Sequence, residues 1–275
     1  GLNNVSQLVG YDELNAEALL WSSPVDTNPE VLAPLPGFSM ASAVDINDAG
    51  LIIGESFGAV GTSVATAWVV TPAGDVSLPV ELPSPAGDPR AWVYALDEAD
   101  SDGLIQIVGA SGQSNPGSTA LRWEVGIVAE QPALVSGPTD IGSPEGGVSA
   151  AYGINFLGDV VGETGNWPFV KFAGQVMQPL AGIRKATYGY ANEINNAGII
   201  VGDQGYLSRG RAISKAVIWT TPSSPHELEK DVDLARGESL VAASQINDAG
   251  YIAGLGFFPA ISENGNVGFL LLPAP

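Results

Sequence analysis

Asp45-Ile46-Asn47-Asp48-Ala49-Gly50-Leu51-Ile52-Ile53-Gly54 is a sentence that this chain repeats with small changes. It returns as Leu2-Asn3-Asn4-Val5-Ser6-Gln7-Leu8-Val9-Gly10, as Ile154-Asn155 through Gly162, as Ile194-Asn195 through Gly202, and as Ile246-Asn247 through Gly254. A sixth copy is stretched, running from Leu96-Asp97 through Gly103 to Ile107-Val108-Gly109. The closing glycines, Gly10, Gly54, Gly109, Gly162, Gly202 and Gly254, set a period of 40 to 55 residues. A period of that length dictates architecture before any single residue is considered.

Working outward from the sentence, each repeat divides into four short strands. An apolar stretch such as Ala43–Ile46 leads into the turn Asn47-Asp48-Ala49-Gly50, where Asn suits the first position and Gly supplies a positive φ at the last. The second strand, Leu51–Gly54, is apolar at successive positions rather than alternating, so both of its faces should be covered. The third ends near Trp in Ala18–Trp21, Ala65–Trp68, Ala120–Trp123 and Ala216–Trp219, and keeps only apolar character in Pro168–Lys171 and Gly268–Leu271. The fourth follows a Pro/Gly turn, as in Thr71–Gly74 leading to Val76–Val80. Four-stranded sheets repeated at this period predict an all-β chain: a single β-propeller domain over 1–275 with six blades. The repeats run approximately over 1–40, 41–90, 91–148, 149–187, 188–240 and 241–275. A β-solenoid is the competing architecture, but its coils are usually shorter and lack a hairpin turn at a fixed place. The first copy lacks most of its first strand and the last lacks its fourth. Some 20 to 25 residues before Gly1 are therefore expected, by comparison with the other copies.

Composition agrees. The 275 residues include 35 Gly and 20 Pro with 45% apolar residues, which fits a turn-rich β protein rather than a disordered chain. No segment keeps a 3.6-residue apolar period, so almost no helix is expected. Thirty acidic against ten basic residues give a net charge of −20, which argues against nucleic-acid or anionic-membrane partners. The absence of cysteine excludes disulfides, thiol catalysis and Cys-based zinc sites. No apolar run is long enough for a membrane-spanning helix.

The pattern I-N-x-x-G-x-I-V-G followed by A-x-x-W resembles the HAF repeat of predicted extracellular bacterial proteins, over nearly the whole chain. The tail Leu271-Leu272-Pro273-Ala274-Pro275 is similar to the lead-in of a PEP-CTERM sorting signal, although the signal itself is absent. The resemblance implies an extracellular or cell-surface protein of an exopolysaccharide-producing bacterium. It supplies no catalytic residues to carry over.

Strand direction sorts the connections onto two sides. The Asn-x-x-Gly turns share one side and are stereotyped. The strand 2–3 loops share the other and vary, as in Glu55–Ala65, Ala110–Thr119, Asp203–Lys215 and Leu255–Asn266. Function usually sits on variable loops held by a rigid scaffold, so the second side is the expected binding side. It collects Phe57, Trp92, Trp167, Tyr188, Tyr190, Tyr206, Phe257 and Phe258, with Arg184, Lys185, Arg209 and Arg211. Eight of the ten basic residues lie between Lys171 and Arg236, a basic patch on an acidic body. Trp92, Trp167, Tyr188, Tyr190 and Tyr206 with Arg184, Arg209 and Arg211 would suit carbohydrate, anionic polysaccharide above all, by stacking and bidentate contacts. The plainer alternative is that Trp92 and Tyr190 fill the crowded inner strands while the arginines offset local acidity.

The stretched third turn, Asp97-Glu98-Ala99-Asp100-Ser101-Asp102-Gly103, places Glu98, Asp100, Asp102 and Gly103 at the first positions of a calcium loop, with Asp97 beside them. Gly109 stands where the bidentate Glu belongs, so a calcium (Ca2+) site would be incomplete, and a solvated acidic loop is the alternative. No cofactor is required. His226, the sole histidine, reads as a surface turn residue, and the repeat asparagines as turn formers. Asn4-Val5-Ser6 matches a glycosylation acceptor, a weak three-residue signal. These readings favour a non-enzymatic binding protein whose partner is polysaccharide or another extracellular protein. A polysaccharide hydrolase or lyase and a self-assembling structural subunit are the alternatives.

Overall fold

The computed structural model describes residues 1–58, 63–86, 88, 90–112, 118–143, 147–262 and 265–273. Parts of the candidate loops Glu55–Ala65, Ala110–Thr119 and Leu255–Asn266, and the end of the tail, lie outside the described residues. The described chain is all-β, six small antiparallel sheets of three or four strands, each built in chain order. The first sheet holds β1 (Leu8–Asp12), β2 (Glu17–Trp21) and β3 (Glu30–Leu32). The second holds β4 (Met40–Ile46), β5 (Leu51–Phe57), β6 (Ser63–Val69) and β7 (Val80–Glu81). The third holds β8 (Ala91–Leu96), β9 (Ile105–Ser111), β10 (Ala120–Val128) and β11 (Gln131–Asp140). In the fourth are β12 (Ser149–Ile154), β13 (Val160–Thr164), β14 (Trp167–Lys171) and β15 (Gln178–Pro179). The fifth comprises β16 (Tyr188–Ile194), β17 (Ile200–Ser208), β18 (Arg211–Trp219) and β19 (Pro225–Glu227). The sixth stops at three strands, β20 (Ser239–Ile246), β21 (Ile252–Phe257) and β22 (Asn266–Leu271). Among the described residues the helical element is a single 3-10 turn, Leu228–Lys230. The chain divides into two compact units, Gly1–Ala151 and Tyr152–Pro275, with the division inside β12.

The consecutive apolar residues of the second strands have a physical reason. In the first unit, Ile52 packs with Val9, Leu20 and Trp68, whereas Leu51 and Ile53 pack with Val93, Ile105 and Trp123. Strand β5 is thus covered on one face by the first sheet and on the other by the third, and all three of its leading residues are fully buried. In the second unit Ile200 joins Val161 and Val170 on one side, while Val201 joins Leu240 and Ala243 on the other. Each such side chain contributes about 1.5–3 kcal/mol of burial.

The closing glycine is fixed by a bulge. The pairing of the first two strands shifts register between Ala43 and Asp45, Val93 and Ala95, Ala191 and Glu193, and Ala243 and Gln245. A Cβ on Gly54, Gly109, Gly202 or Gly254 would collide with the carbonyl oxygen of Ser42, Trp92, Tyr190 or Ala242, respectively. Only glycine fits there.

Two strand readings are corrected. The fourth strand of the second sheet is Val80–Glu81, shorter than Val76–Val80, because Val76 makes only a lone bridge to Val70 and Pro79 has no N–H to extend the ladder. Asp203–Lys215 is hairpin rather than loop. Pairing continues to Ser208↔Arg211, and positive φ at Arg209 (50°) and Gly210 (78°) closes it in two residues.

Candidate functional site

The Asn turn comes first, because it shows which side chains are already committed. The Asn47 N–H donates to the Leu51 carbonyl, the Gly50 N–H to the Asn47 carbonyl, and the Leu51 N–H to Asn47 Oδ1 at 3.0 Å, with Gly50 at φ 81°. Asn3, Asn155, Asn195 and Asn247 accept the equivalent side-chain bonds, from Gln7, Asp159, Ile199 and Tyr251. What spacing alone did not reveal is the other half of each amide. Asn3 Nδ2 donates to the Asn47 carbonyl at 3.1 Å, and Asn47 Nδ2 to the Asp97 carbonyl at 2.9 Å. In the second unit Asn155 donates to Asn195 and Asn195 to Asn247, at 3.1 and 3.2 Å. Asn3, Asn47, Asn155 and Asn195 therefore each also tie their copy to the next.

The following residue repeats the device. Asn4 donates from its N–H and its Nδ2 to the Asp48 carboxylate, and the Asp48 N–H donates to Glu98. Likewise the Phe156 N–H donates to Asn196 Oδ1, and Asn196 donates twice to Asp248. Asn4, read above as a glycosylation acceptor, has its amide engaged in this row. Tryptophans tie the sheets in the other direction. Trp68, Trp123 and Trp219, all fully buried, donate their indole N–H to the carbonyls of Ala33, Pro83 and Ala181, just past the outer strand of the preceding sheet.

The stretched turn keeps this geometry and nests a second turn inside it. The Asp97 N–H donates to the Gln106 carbonyl, and the Gln106 N–H donates to Asp97 Oδ1 at 2.6 Å, as Asn47 does with Leu51. Within it, Asp100 copies the pattern again with Gly103 and Leu104. Three of the four candidate calcium ligands serve this scaffolding, Asp97 with Gln106, Glu98 with Asp48, and Asp100 with the N–H groups of Asp102 and Leu104, whereas Asp102 takes part through its backbone N–H. Among the described residues no three His, Cys, Asp or Glu side chains are grouped to hold an ion. Burial pushes Asp97 up to about 7, against the hydrogen bonds from Gln106 and reinforced by the charges of Asp100 and Glu98.

The opposite end of the fifth sheet differs. The β17–β18 hairpin and strands β16, β20, β21 and β22 line a cavity of about 790 Å³. Tyr188, Arg209 and Arg211 of the expected ligand residues meet there, joined by Phe257, Lys215 and Asn266. Lys215 is held by Glu229 at 2.7 Å. Among the described residues, no carboxylate lies within ion-pair distance of Arg209 or Arg211, and both are exposed. By contrast, a cavity of about 340 Å³ at the turn end of the first unit has one ionisable lining residue, Asp48, already bonded to Asn4.

The other expected residues are not part of this cavity. Trp92 lies half-buried on β8, Trp167 donates to the Leu180 carbonyl at 2.8 Å, and Tyr206 and Arg184 stand outside the cavity wall. Tyr190 packs against Tyr152 with ring centres 6.4 Å apart. Its phenol is raised by burial and by the neighbouring charges of Glu163 and Asp203.

Glu163 and Asp203 belong to a set that sequence reasoning passed over: the acidic residue directly after the closing glycine in three copies, Glu55, Glu163 and Asp203. Burial raises all three. Each accepts a hydroxyl bond, from Ser63, Tyr152 and Ser214 respectively. The signal was visible as an acid in fixed register with the repeat. His226 is exposed on β19 and contacts Asp231 at 2.9 Å.

No family model matches the chain, and none of the curated proteins matches it. Among solved structures, a crystal structure of glucose dehydrogenase is similar over 100% of this chain and 98% of its own, at 12% identity and a TM-score of 0.40.

Proposed function

We propose that the chain is a six-bladed β-propeller acting outside the cell or at its surface as a non-enzymatic binding protein, with polysaccharide or a matrix component as its ligand. The six sheets that follow the six repeats support the architecture, and the resemblance to HAF repeats supports the location. The observation that carries the binding reading is the cavity at the hairpin end of the fifth sheet. There, Tyr188 and Phe257 line an opening together with two arginines that have no carboxylate partner among the described residues, whereas the turn-end side chains are consumed in internal bonds. A glycan array probed with the full chain tests this. Binding to a defined set of glycans, lost in a Tyr188→Ala, Phe257→Ala double variant that melts normally, is expected. No glycan binding together with defined oligomers in solution would replace it by self-assembly. Glycan turnover abolished by Glu163→Gln or Asp203→Asn would replace it by an enzyme.

A further inference from the structure

Resting on that reading, we infer that the cavity of the fifth and sixth sheets selects an acidic sugar, with Arg209 and Arg211 taking the anionic group and Tyr188 and Phe257 lining the ring's place. The chain carries 30 acidic and 10 basic residues. Among the described residues Lys215, Lys230 and Arg122 hold ion pairs, with Glu229, Glu227 and Glu124. Arg209 and Arg211, the two residues that flank Gly210 at the hairpin tip, hold none among the described residues, and both stand at the cavity that Tyr188 and Phe257 also line. The hairpin holds both at the cavity rather than on a free loop, since its register runs unbroken from Ile200 to Ser208. The Lys215 ammonium is already neutralised by Glu229, which leaves the two guanidinium groups as the lining cations without a carboxylate partner among the described residues.

The rest of the lining fits a polyhydroxylated ring. Tyr188 and Phe257 offer aromatic rings, and Ser239 and Asn266, the two cross-strand partners of Phe257, offer short hydrogen-bonding groups beside it. A guanidinium fork binds the paired oxygens of a carboxylate or a sulfate ester equally well in geometry. The shared chemistry is therefore a saccharide that bears carboxylate or sulfate-ester groups, each of single charge. A long polyanion such as nucleic acid is disfavoured by the surrounding net charge of −20.

Titration calorimetry on the full chain tests the inference, with trigalacturonate, a 4-sulfated galactose trisaccharide, neutral galactotriose and a triaspartate peptide. The expected result is binding of at least one acidic trisaccharide about tenfold or more tighter than galactotriose, weakened by salt. Arg209→Gln and Arg211→Gln should each weaken it severalfold, with melting temperatures unchanged. Which acidic sugar binds tells carboxylate from sulfate. Galactotriose binding as tightly, or affinity surviving the double Arg→Gln variant, overturns the acidic preference and leaves the glycan reading standing. Triaspartate binding as well as the sugars shows that charge alone is read. A chain that binds no glycan on the array and none of these sugars removes both.

Discussion

The two ends of the fifth sheet are made by the same strands and do opposite things with polar side chains. At the turn end, Asn195 is 4% exposed and its Oδ1 and Nδ2 both have backbone partners, one of them in the sixth sheet. At the hairpin end, Arg209 and Arg211 are exposed and carry no carboxylate partner among the described residues. The first kind of residue should matter to stability and not to ligand, and the second kind the reverse.

The largest effect should come from breaking the tie nearest the core. Trp219→Ala removes a fully buried indole and its bond to Ala181, and should cost about 3–5 kcal/mol in chemical denaturation. Trp219→Phe should cost less, since it keeps most of the packing and leaves only the Ala181 carbonyl without its donor. Asn195→Ala comes next, at about 1–3 kcal/mol, because it strips the side-chain acceptor from the Ile199 N–H and removes the bond to the Asn247 carbonyl, which keeps the Gly250 N–H.

Asp97→Asn sharpens the comparison differently. Its folded-state carboxyl is raised to about 7 by burial, so the folded protein holds a proton that the unfolded chain releases near pH 4. The stability tied to that proton is fully present below about pH 4 and is lost as pH rises to about 7. Over that window the loss is at most about 1.4 kcal/mol per pH unit. The amide cannot ionise, so the variant should melt higher than the parent at pH 8 and close to it at pH 4. A melting temperature that follows pH identically in both would show that Asp97 is not the group responsible. The smallest effect on folding belongs to Arg211→Gln at the far end, within about 0.5 kcal/mol, with its loss confined to ligand affinity.

Much of this was legible in the sentence around Asn47. Its Asn and Gly specify a turn through local backbone chemistry, and its adjacent isoleucines specify burial on both faces, because both are properties of a few neighbouring residues. The closing Gly54 was visible but its reason was not, since the Ser42 carbonyl that excludes a Cβ belongs to another strand. The same holds for Asn47 Nδ2, whose partner lies 50 residues away. The candidate site was partly legible for a related reason. Tyr188, Arg209 and Arg211 could be placed at one end of a sheet by strand direction, but Trp92 and Trp167 shared that description. What separates them is where register puts each side chain, which composition does not encode. Asp203–Lys215 misled because its polar residues alternate across a hairpin that reads as a loop.

The bond from Asn155 to Asn195, and from Asn195 to Asn247, joins like to like: the donor is the turn residue of one copy and the acceptor is the turn residue of the next. Because the acceptor is a backbone carbonyl, the side chain of the copy that follows does not enter the bond, and Asn47 donates to the carbonyl of Asp97 as it would to that of an Asn. The side chain of the copy that donates does enter it: Asp97, with no amide, accepts from Gln106 instead, so the joint is generic on its downstream side and particular on its upstream side.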